Sequence, residues 1–380
     1  MALHSKLKMN QISIIGAGIG GLTLGNILKQ HHFDFTIYES APKIKPVGAG
    51  IMMAVNAMQI FDKLGLKEKI ENAGNKIHGI FITDEKLKTI STTNVLALEK
   101  KFNSCNVAIH RAELQNILAE NLGLENIKLN HSLQQIQKKE NYLLEFENGF
   151  ATENKIVFGA DGIHSKVRNQ IFKTGNIRNA GQKCWRGLTD FELPEKYNHH
   201  ALEIWGKGKR FGFVKISEQK VYWYALVNEN KFTENHNLTE TFNDFDSLVL
   251  EILKATKSEN IILNDIIDLA PIPKWYAENL CLIGDAAHAT TPNMGQGACQ
   301  SIEDAYVIGK LLEKNKNFNS VFEEFQSIRR KKVDEIVKNS WTIGKISQWE
   351  KGNQIRNFLM RSIPESINQK MVEKILKLEI

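Results

Sequence analysis

Two glycine-rich turns, each set beside a carboxylate, are the residues in this chain best suited to chemistry. The later one spans residues 280 to 297, Leu-Cys-Leu-Ile-Gly-Asp-Ala-Ala-His-Ala-Thr-Thr-Pro-Asn-Met-Gly-Gln-Gly. Its apolar start, Leu280 to Ile283, reads as a buried strand, and Gly284-Asp285 ends that strand on an acid. Pro292, Gly295 and Gly297 then shape a loop that opens onto a helix beginning near Gln296. Such a loop brings backbone N–H groups against a flat or anionic ligand, because glycine removes the Cβ and a helix start leaves donors unpaired. Taken alone, the stretch also fits an ordinary strand–loop–helix turn, the less favoured alternative.

The earlier turn lies at the amino terminus. Gln11 to Ile15 has the composition of a strand buried in a parallel sheet, and Gly16-Ala17-Gly18-Ile-Gly-Gly21 follows at once. Leu22 to Gln30 continues as an apolar-rich helix, and Phe35 to Glu39 reads as a second strand that ends on an acid. Strand, glycine turn, helix, strand and acid form the dinucleotide fingerprint in its required context. The first glycine permits the turn, the second lets backbone approach a pyrophosphate, and the third lets helix and strand pack. Glu39 is placed to accept from an adenosine ribose and would repel a 2′-phosphate, which disfavours NADP in this pocket. NAD and FAD both remain open on these residues.

Two further elements lie between the turns. Lys155 to Ala160 is another apolar strand, followed by Asp161-Gly162, and His164 to Phe172 reads as helical. Arg111 opens a helix running to about Leu122. An arginine there opposes the helix macrodipole, which makes sense if it faces an anion or a polar cofactor edge; a solvated surface arginine is the alternative.

Together these sites resemble the single-component FAD-dependent aromatic monooxygenases, the fold group of p-hydroxybenzoate hydroxylase, salicylate hydroxylase, urate hydroxylase and zeaxanthin epoxidase. The resemblance covers about residues 10 to 345. It implies an α/β fold, with a Rossmann-like FAD-binding domain of the GR2 type, an inserted antiparallel β-sheet substrate domain and C-terminal helices. It also implies that Gly16, Ala17, Gly18 and Gly21 hold the ADP half of FAD, that Glu39 binds ribose and that Arg111 contacts the flavin side. Asp161 and Gly162 would serve FAD and the approach of NADPH or NADH. Gly284 and Asp285 would meet the ribityl chain, and the backbone of Gly295, Gln296, Gly297 and Ala298 the flavin pyrimidine ring. The implied reaction is hydroxylation or epoxidation of an aromatic or polycyclic small molecule with NAD(P)H and O2 through a C4a-hydroperoxyflavin. The flavin carries that chemistry, so neither metal nor nucleophilic side chain is required. A flavin oxidase, dehydrogenase or halogenase on the same scaffold is the enzymatic alternative, although the halogenase Trp-x-Trp-x-x-Ile signature is missing. A non-catalytic flavin-binding module is the alternative outside enzymology. Relatives that inactivate tetracyclines are a sub-possibility.

The elements that must position these residues follow from patterning. From Gln182 onward the chain turns to short alternating segments rich in aromatics: 184–191, 202–205, 210–214 and 221–226. They read as an antiparallel sheet. The hairpin-like stretch His78 to Asn94 should join it, and a helix from Thr241 to Thr256 should cover one face. Boundaries follow: an FAD-binding domain of 10–77 with 95–181 and 271–345, a substrate-binding domain of 78–94 with 182–270, and a helical segment of 346–380. Within the pocket the candidates are Arg210, Tyr222, Tyr224, His288, Pro292 and Asn293. Alternation puts Tyr222 and Tyr224 on one face and Trp223 on the other, while a purely structural core role for these aromatics stays open. Asn293 is a candidate for bonding substrate or for bracing its loop. It stands where urate-hydroxylating relatives carry an acid, which argues against urate.

Composition constrains the rest. A chain of 380 residues with 42% hydrophobic content buries a large core, and its length suggests two domains. No apolar run reaches the roughly 20 residues that span a bilayer, so no integral membrane association is expected. Residues Met1 to Asn10 are too short and polar for a secretory signal and read as a lead-in. Four cysteines without C-x-x-C spacing suggest reduced thiols and a cytoplasmic protein. The adjacent pairs His31-His32 and His199-His200 lack ligand spacing, and no metal is expected. A net charge of +6 is modest, and Arg329-Arg-Lys-Lys332 reads as the solvated face of a helix, so no nucleic acid is expected. Trp341 and Trp349 should pack on the flavin domain, with a helix break near Pro364. Partners are then the aromatic substrate and O2, in a monomer or homodimer.

Overall fold

The computed structural model describes residues 9–44, 49–233 and 237–380. Residues 1–8 of the expected lead-in lie outside the described residues, whereas Met9 and Asn10 already belong to the first strand.

That strand, Met9–Ile15, sits inside an eight-stranded sheet between Ala151–Gly159 and Phe35–Tyr38, and is parallel to both. Leu280–Leu282 lies parallel to Ala151–Gly159 on its far side. Strands buried on both faces need apolar residues throughout, which is why these runs show no alternation. The register is what matters for the site. Ile15 is level with Gly159 and Tyr38, and Gly159 is level with Leu282. The turns after four strands therefore leave one edge side by side, bringing Gly16, Glu39, Asp161 and Gly284 together. Crevices at the carboxyl ends of parallel strands are where α/β folds bind ligands.

Helix Ile19–Gln30 packs against the helices Arg111–Leu122 and Gly297–Lys314. The approach to Gly297–Lys314 is close: a Cβ on Gly20 would lie 2.9 Å from the Ser301 Cβ. Asn26 anchors the other contact, its Nδ2 donating to the Leu118 carbonyl at 2.9 Å.

The second sheet has seven strands in the order Ile261–Leu269, Ile177–Asp190, Lys220–Asn228, Lys209–Lys215, His200–Trp205, Gly79–Asp84 and Thr89–Thr93. Every pairing is antiparallel except that of His200–Trp205 with Gly79–Asp84, through which the 78–94 hairpin joins the layer. His200 is thus a strand residue and His199 lies in the turn before it. One face packs Trp185, Phe211, Phe213 and Trp223 on Phe242, Phe245, Val249 and Ile252. Phe211 stacks on Trp223 at 5.6 Å, and each such burial contributes on the order of 2 kcal/mol. The covering helix departs from expectation: it divides into Leu238–Thr241 and Ser247–Ala255. Asp246 interrupts it by accepting the Leu248 N–H at 3.0 Å, because a short carboxylate satisfies a helix start better than it serves a helix interior.

A small third sheet, Gly50–Met53 with Asn106–His110 and Asn75–Ile77, lies between the layers. Gly50 packs directly on the ring of Tyr222, and no side chain larger than hydrogen fits there.

The carboxyl-terminal part is helical: Phe318–Ser347, Asn353–Arg361 and, after Pro364, Glu365–Leu376. Trp341 packs under the Arg178 guanidinium at 4.4 Å, but Trp349 is 41% exposed, contrary to expectation, since the helix before it ends at Ser347. The Arg329–Lys332 cluster also differs from its reading as a solvated face. Arg329 is 0% exposed and Lys332 is 9%, three residues apart on the inward face of Phe318–Ser347, while Lys331 faces out. No helix among the described residues is long and apolar enough to cross a membrane.

Candidate active site

The first glycine turn is dictated by crowding. Gly16 has φ +105°, and a Cβ there would lie 2.5 Å from the Ala160 carbonyl oxygen. Gly21 abuts the Gly16 carbonyl just as tightly, whereas a Cβ on Gly18 would meet nothing within 4 Å. Gly16 and Gly21 are thus needed by the protein, and Gly18 leaves open space. Glu39 closes the turn from the neighbouring strand, its Oε2 accepting the Ala17 N–H at 2.8 Å and its Oε1 the Ala41 N–H at 2.8 Å and the Ser40 hydroxyl at 3.0 Å. A carboxylate offers about four lone-pair sites, so one direction stays free.

Arg111 starts its helix as expected, and its N–H donates to the Ala49 carbonyl at 3.0 Å. Its side-chain Nε is buried without a hydrogen-bond partner. Asp161 is similar: Oδ2 accepts the Val167 N–H at 3.1 Å, while Oδ1 is buried and unpaired. Burial pushes the Asp161 carboxyl above its usual range, opposed by the Ser165 hydroxyl and nearby amides. The segment after it is not the regular helix expected for 164–172. His164 lies in a turn, and Arg168–Phe172 forms a π-helical turn. Arg168 turns inward there, giving Nη1 to the Ala286 carbonyl at 2.9 Å and Nη2 to the Ile163 carbonyl at 2.6 Å. This ties the Asp161 loop to the Asp285 loop.

Gly284 takes φ +57° and ψ −140°, a conformation suited to glycine, and Asp285 begins the short helix Asp285–His288. Asp285 is exposed yet hemmed in. Desolvation pushes its carboxyl up, against the pull of His288 and Arg111 and with Asp304 adding to the push. Pro292–Met294 forms a 3₁₀ turn, Gly295 is left-handed at φ +62°, and helix Gly297–Lys314 begins without a side-chain cap. A Cβ on Gly297 would stand 4.0 Å from Asp285 Oδ1, so the two halves of this stretch face each other.

Several pocket candidates are committed elsewhere. His288 is buried, its Nε2 2.6 Å from Asp304 Oδ2 and its ring on Trp275. Arg210 is 1% exposed, donating to Glu203 at 3.0 Å, Gln182 at 3.2 Å and Asn293 Oδ1 at 2.8 Å. Asn293 gives Nδ2 to the Thr291 hydroxyl and the Ser340 carbonyl, both at 2.9 Å, so it braces the loop that follows Pro292. Tyr224 donates to Glu203 Oε2 at 2.6 Å. Tyr222 lies on the same sheet face as Tyr224, opposite Trp223, and its hydroxyl bonds no described residue.

Behind both loops lies a buried ionic network that patterning missed. Asp304 Oδ2 accepts from the Gly284 N–H at 2.9 Å and faces His288, while Oδ1 accepts from Arg329 Nε at 2.9 Å. Burial opposes its ionisation, yet the charges of His288 and Arg329 hold the carboxyl at about 2. Glu303 Oε1 accepts from Asn56 at 2.6 Å, and Asn56 also donates to Gln296 at 3.1 Å. Arg329 Nη1 and Lys332 Nζ both reach Glu303 Oε2 at 2.7 Å, and Glu379 pairs with Arg329 at 2.9 Å. The signal in the sequence was two adjacent acids inside an apolar helix, with two bases three residues apart on another.

Unpaired buried atoms on Arg111 and Asp161, the open space over Gly18, and a helix start beside Asp285 fit a flavin dinucleotide, and they define a flavoprotein of the two-loop dinucleotide-binding kind. Comparison with known proteins agrees. Residues 9–340 match the family model described as FAD binding domain, and the chain belongs to that family. It is 34% identical over 358 residues to the aurachin C monooxygenase/isomerase of Stigmatella aurantiaca, covering 92% of this chain and 93% of that one. It is 30% identical over 377 residues to the 2-heptyl-3-hydroxy-4(1H)-quinolone synthase of Pseudomonas aeruginosa, covering 96% and 97%. The structure of Klebsiella pneumoniae HpxO with FAD and uric acid superposes with a TM-score of 0.88 at 22% identity, over 96% of each chain. The protein is an FAD-dependent monooxygenase of aromatic or polycyclic small molecules, with the NAD(P)H and O2 requirement of its class.

Proposed function

We propose that this enzyme hydroxylates a bicyclic heteroaromatic of the 4-quinolone type. The observation that carries this reading is near full-length similarity to an enzyme named for making a 3-hydroxy-4(1H)-quinolone. Asn293, bound by Arg210, Thr291 and Ser340, supports it from the negative side, since the loop after Pro292 offers an amide already in use and no carboxylate for a urate-like ring.

The residues divide by position. Gly16, Ala17, Gly18, Gly21 and Glu39 hold the ADP half of FAD; Arg111, Asp161 and Gly162 meet its middle and flavin side. Gly284 and Asp285 bind the ribityl chain, and the amides of Gly295, Gln296, Gly297 and Ala298 face the pyrimidine ring. Bound FAD supplies reduction by NAD(P)H and transfer of oxygen. The chain's own work is to orient the ring, exclude water and place helix-start N–H groups where negative charge collects. The proposed domain bounds are 10–77 with 95–181 and 271–345 for FAD, 78–94 with 182–270 for substrate and 346–380 for the helical segment; the seven-stranded sheet supports the second, although its strand Ile177–Asp190 begins before residue 182. All four cysteines are buried and free, which supports a reducing, cytoplasmic setting.

The test is NAD(P)H consumption with 2-alkyl-4-quinolones, uric acid and salicylate offered in turn. Stimulation by the quinolones with a hydroxylated product is expected; stimulation by uric acid or salicylate alone would remove the quinolone reading. The glycine turn supplies a second test. Gly18→Ala should leave the melting temperature of the apoprotein within the equivalent of about 0.5 kcal/mol but lower FAD retention about tenfold or more. Gly21→Ala should destabilise the apoprotein itself by about 1–3 kcal/mol, because its methyl meets backbone. A Gly18→Ala protein that holds FAD like the parent would move the pyrophosphate elsewhere.

A further inference from the structure

The last two helices turn polar side chains inward and apolar ones outward. Asn353–Arg361 buries Arg356 and Asn357 and exposes Ile355, Phe358 and Leu359, with Phe358 68% exposed. Its inward side is held by polar bonds. Arg356 lies over the Trp205 ring at 5.2 Å and gives Nη1 to the Ser347 carbonyl at 2.7 Å and Nε to Asn357 at 2.9 Å. Arg361 gives Nε to the Thr89 carbonyl at 2.9 Å and Nη2 to Asp84 at 2.8 Å. Glu365–Leu376 is tied to the same edge strand, Thr89–Thr93, where Asn368 Nδ2 donates to the Thr92 carbonyl at 2.8 Å. It leaves Ile367 and Met371 exposed, and Ile363 between the helices is exposed too. A helix that meets only its own protein turns its apolar stripe to the core. An apolar patch facing the other way marks a surface that meets something apolar.

Charge says what that something is. Ile367, Lys370, Met371 and Lys374 follow at i, i+3, i+4 and i+7, so one side of their helix mixes apolar side chains with ammonium groups. Lys351 stands exposed just before the other helix. The carboxylates bordering the pair are already answered, Asp84 by Arg361, Glu373 by Lys101 and Glu335 by Lys374. The Lys374–Glu335 pair is exposed and holds its ammonium only weakly. A second copy set face to face would bring lysine against lysine over the apolar centre. A lipid surface with anionic headgroups accepts both parts: the apolar side chains enter it, and the lysine stems bury while their ammonium groups stay at the phosphates. The net charge of +6 has the sign this requires. Since no helix among the described residues is long and apolar enough to cross a membrane, the pair would lie on the surface rather than span it.

We propose that Asn353–Arg361 and Glu365–Leu376 dock the enzyme on an anionic phospholipid surface, with Phe358, Leu359, Ile367 and Met371 entering the headgroup–acyl boundary and Lys351, Lys370 and Lys374 meeting phosphates. The inference goes beyond the substrate reading and stands whichever ring the enzyme hydroxylates. Binding of this kind adds buried apolar area to attraction between charges, so both parts must contribute and salt must weaken the second.

The experiment sediments FAD-loaded enzyme with vesicles of phosphatidylcholine alone, or of phosphatidylcholine and phosphatidylglycerol in equal parts, over a salt series. The mixed vesicles should bind about tenfold or more tightly than the neutral ones, and less so as salt rises. Phe358→Ser should weaken that binding about tenfold while keeping FAD content and melting temperature, since the side chain is exposed. Lys370→Glu should lower the preference for the anionic vesicles. Leu124→Ser removes an exposed leucine outside the patch and should bind like the parent. No binding to either vesicle, equal binding to both, or equal binding by Phe358→Ser and parent overturns the proposal. A dimer in analytical ultracentrifugation that Phe358→Ser dissolves, without vesicle binding, gives the face to a second copy and overturns it too. If Phe358→Ser melts below the parent, Met371→Ser on the other helix takes its place, and unaltered binding there is equally fatal.

Discussion

Asp285→Ala is expected to weaken FAD binding about 100-fold while leaving the apoprotein at least as stable as its parent. The carboxylate sits where a short helix starts, faces the Gly297 loop and accepts no hydrogen bond from another described residue. Bonds from ligand hydroxyls to a charged acceptor contribute about 1.5–3 kcal/mol each, so losing one or two gives roughly the stated factor. The stability half follows from exposure: Asp285 is exposed in the apoprotein and bonds no described residue, so its removal costs the fold little. Crowding by the surrounding loops holds its carboxyl above the ordinary 3.8, so removal relieves a small cost of ionisation at neutral pH. Flavin fluorescence quenching during reconstitution measures the first effect and thermal melting of apoprotein the second. Unchanged FAD affinity would show that another group binds the ribityl chain.

The second large effect is expected at Arg329, in the buried network behind the two loops. Arg329→Met leaves Glu303, Asp304 and Glu379 facing only Lys332 and His288. Breaking a buried ion pair from one side costs about 3–5 kcal/mol, because the remaining charge stays desolvated. Lys331→Met, on the outward face of the same helix, should cost almost nothing and serves as the control. The network also carries a pH signature. Asp304 has its carboxyl depressed from 3.8 to about 2, so the stability it contributes is present above 3.8 and is lost as the pH falls toward 2. Without Arg329 that carboxyl rises, and acid unfolding should begin at a higher pH. Flavin retention should fall as well, since Asp304 holds the Gly284 amide and His288 at the two ends of the turn that presents Asp285. Circular dichroism melts of both variants from pH 3 to 7 decide the matter; equal melting of Arg329→Met and parent would reduce the network to a bystander.

The charged cluster from Arg329 to Lys332 shows where reading by composition stops. A run of bases is solvated in most helices, and only the three-residue spacing of Arg329 and Lys332 hinted that two of the four share a face. Which face turns inward depends on Glu303 and Asp304, some 25 residues away on another helix. His288 was a pocket candidate because its loop should border the flavin; the folded chain directs its Nε2 to Asp304, 16 residues on. Asn293 was legible as a choice between substrate and brace, and only the folded chain gives its Oδ1 to Arg210, from a strand 83 positions earlier.

What the sequence determined by itself is everything set by short-range stereochemistry. Glycines at Gly16, Gly21 and Gly284, apolar runs that can only be inner strands, acids at Glu39 and Asp285 and a helix start at Arg111 all follow from backbone sterics and periodicity within a few residues. Their order along the chain was enough to imply the flavoprotein fold. Tertiary structure alone decided the pairing of charges: that Arg329 answers Glu303 and Asp304, and that Arg210 answers Glu203. Coulombic partners are chosen by distance through folded space, and burial multiplies their effect, so no local pattern can announce them.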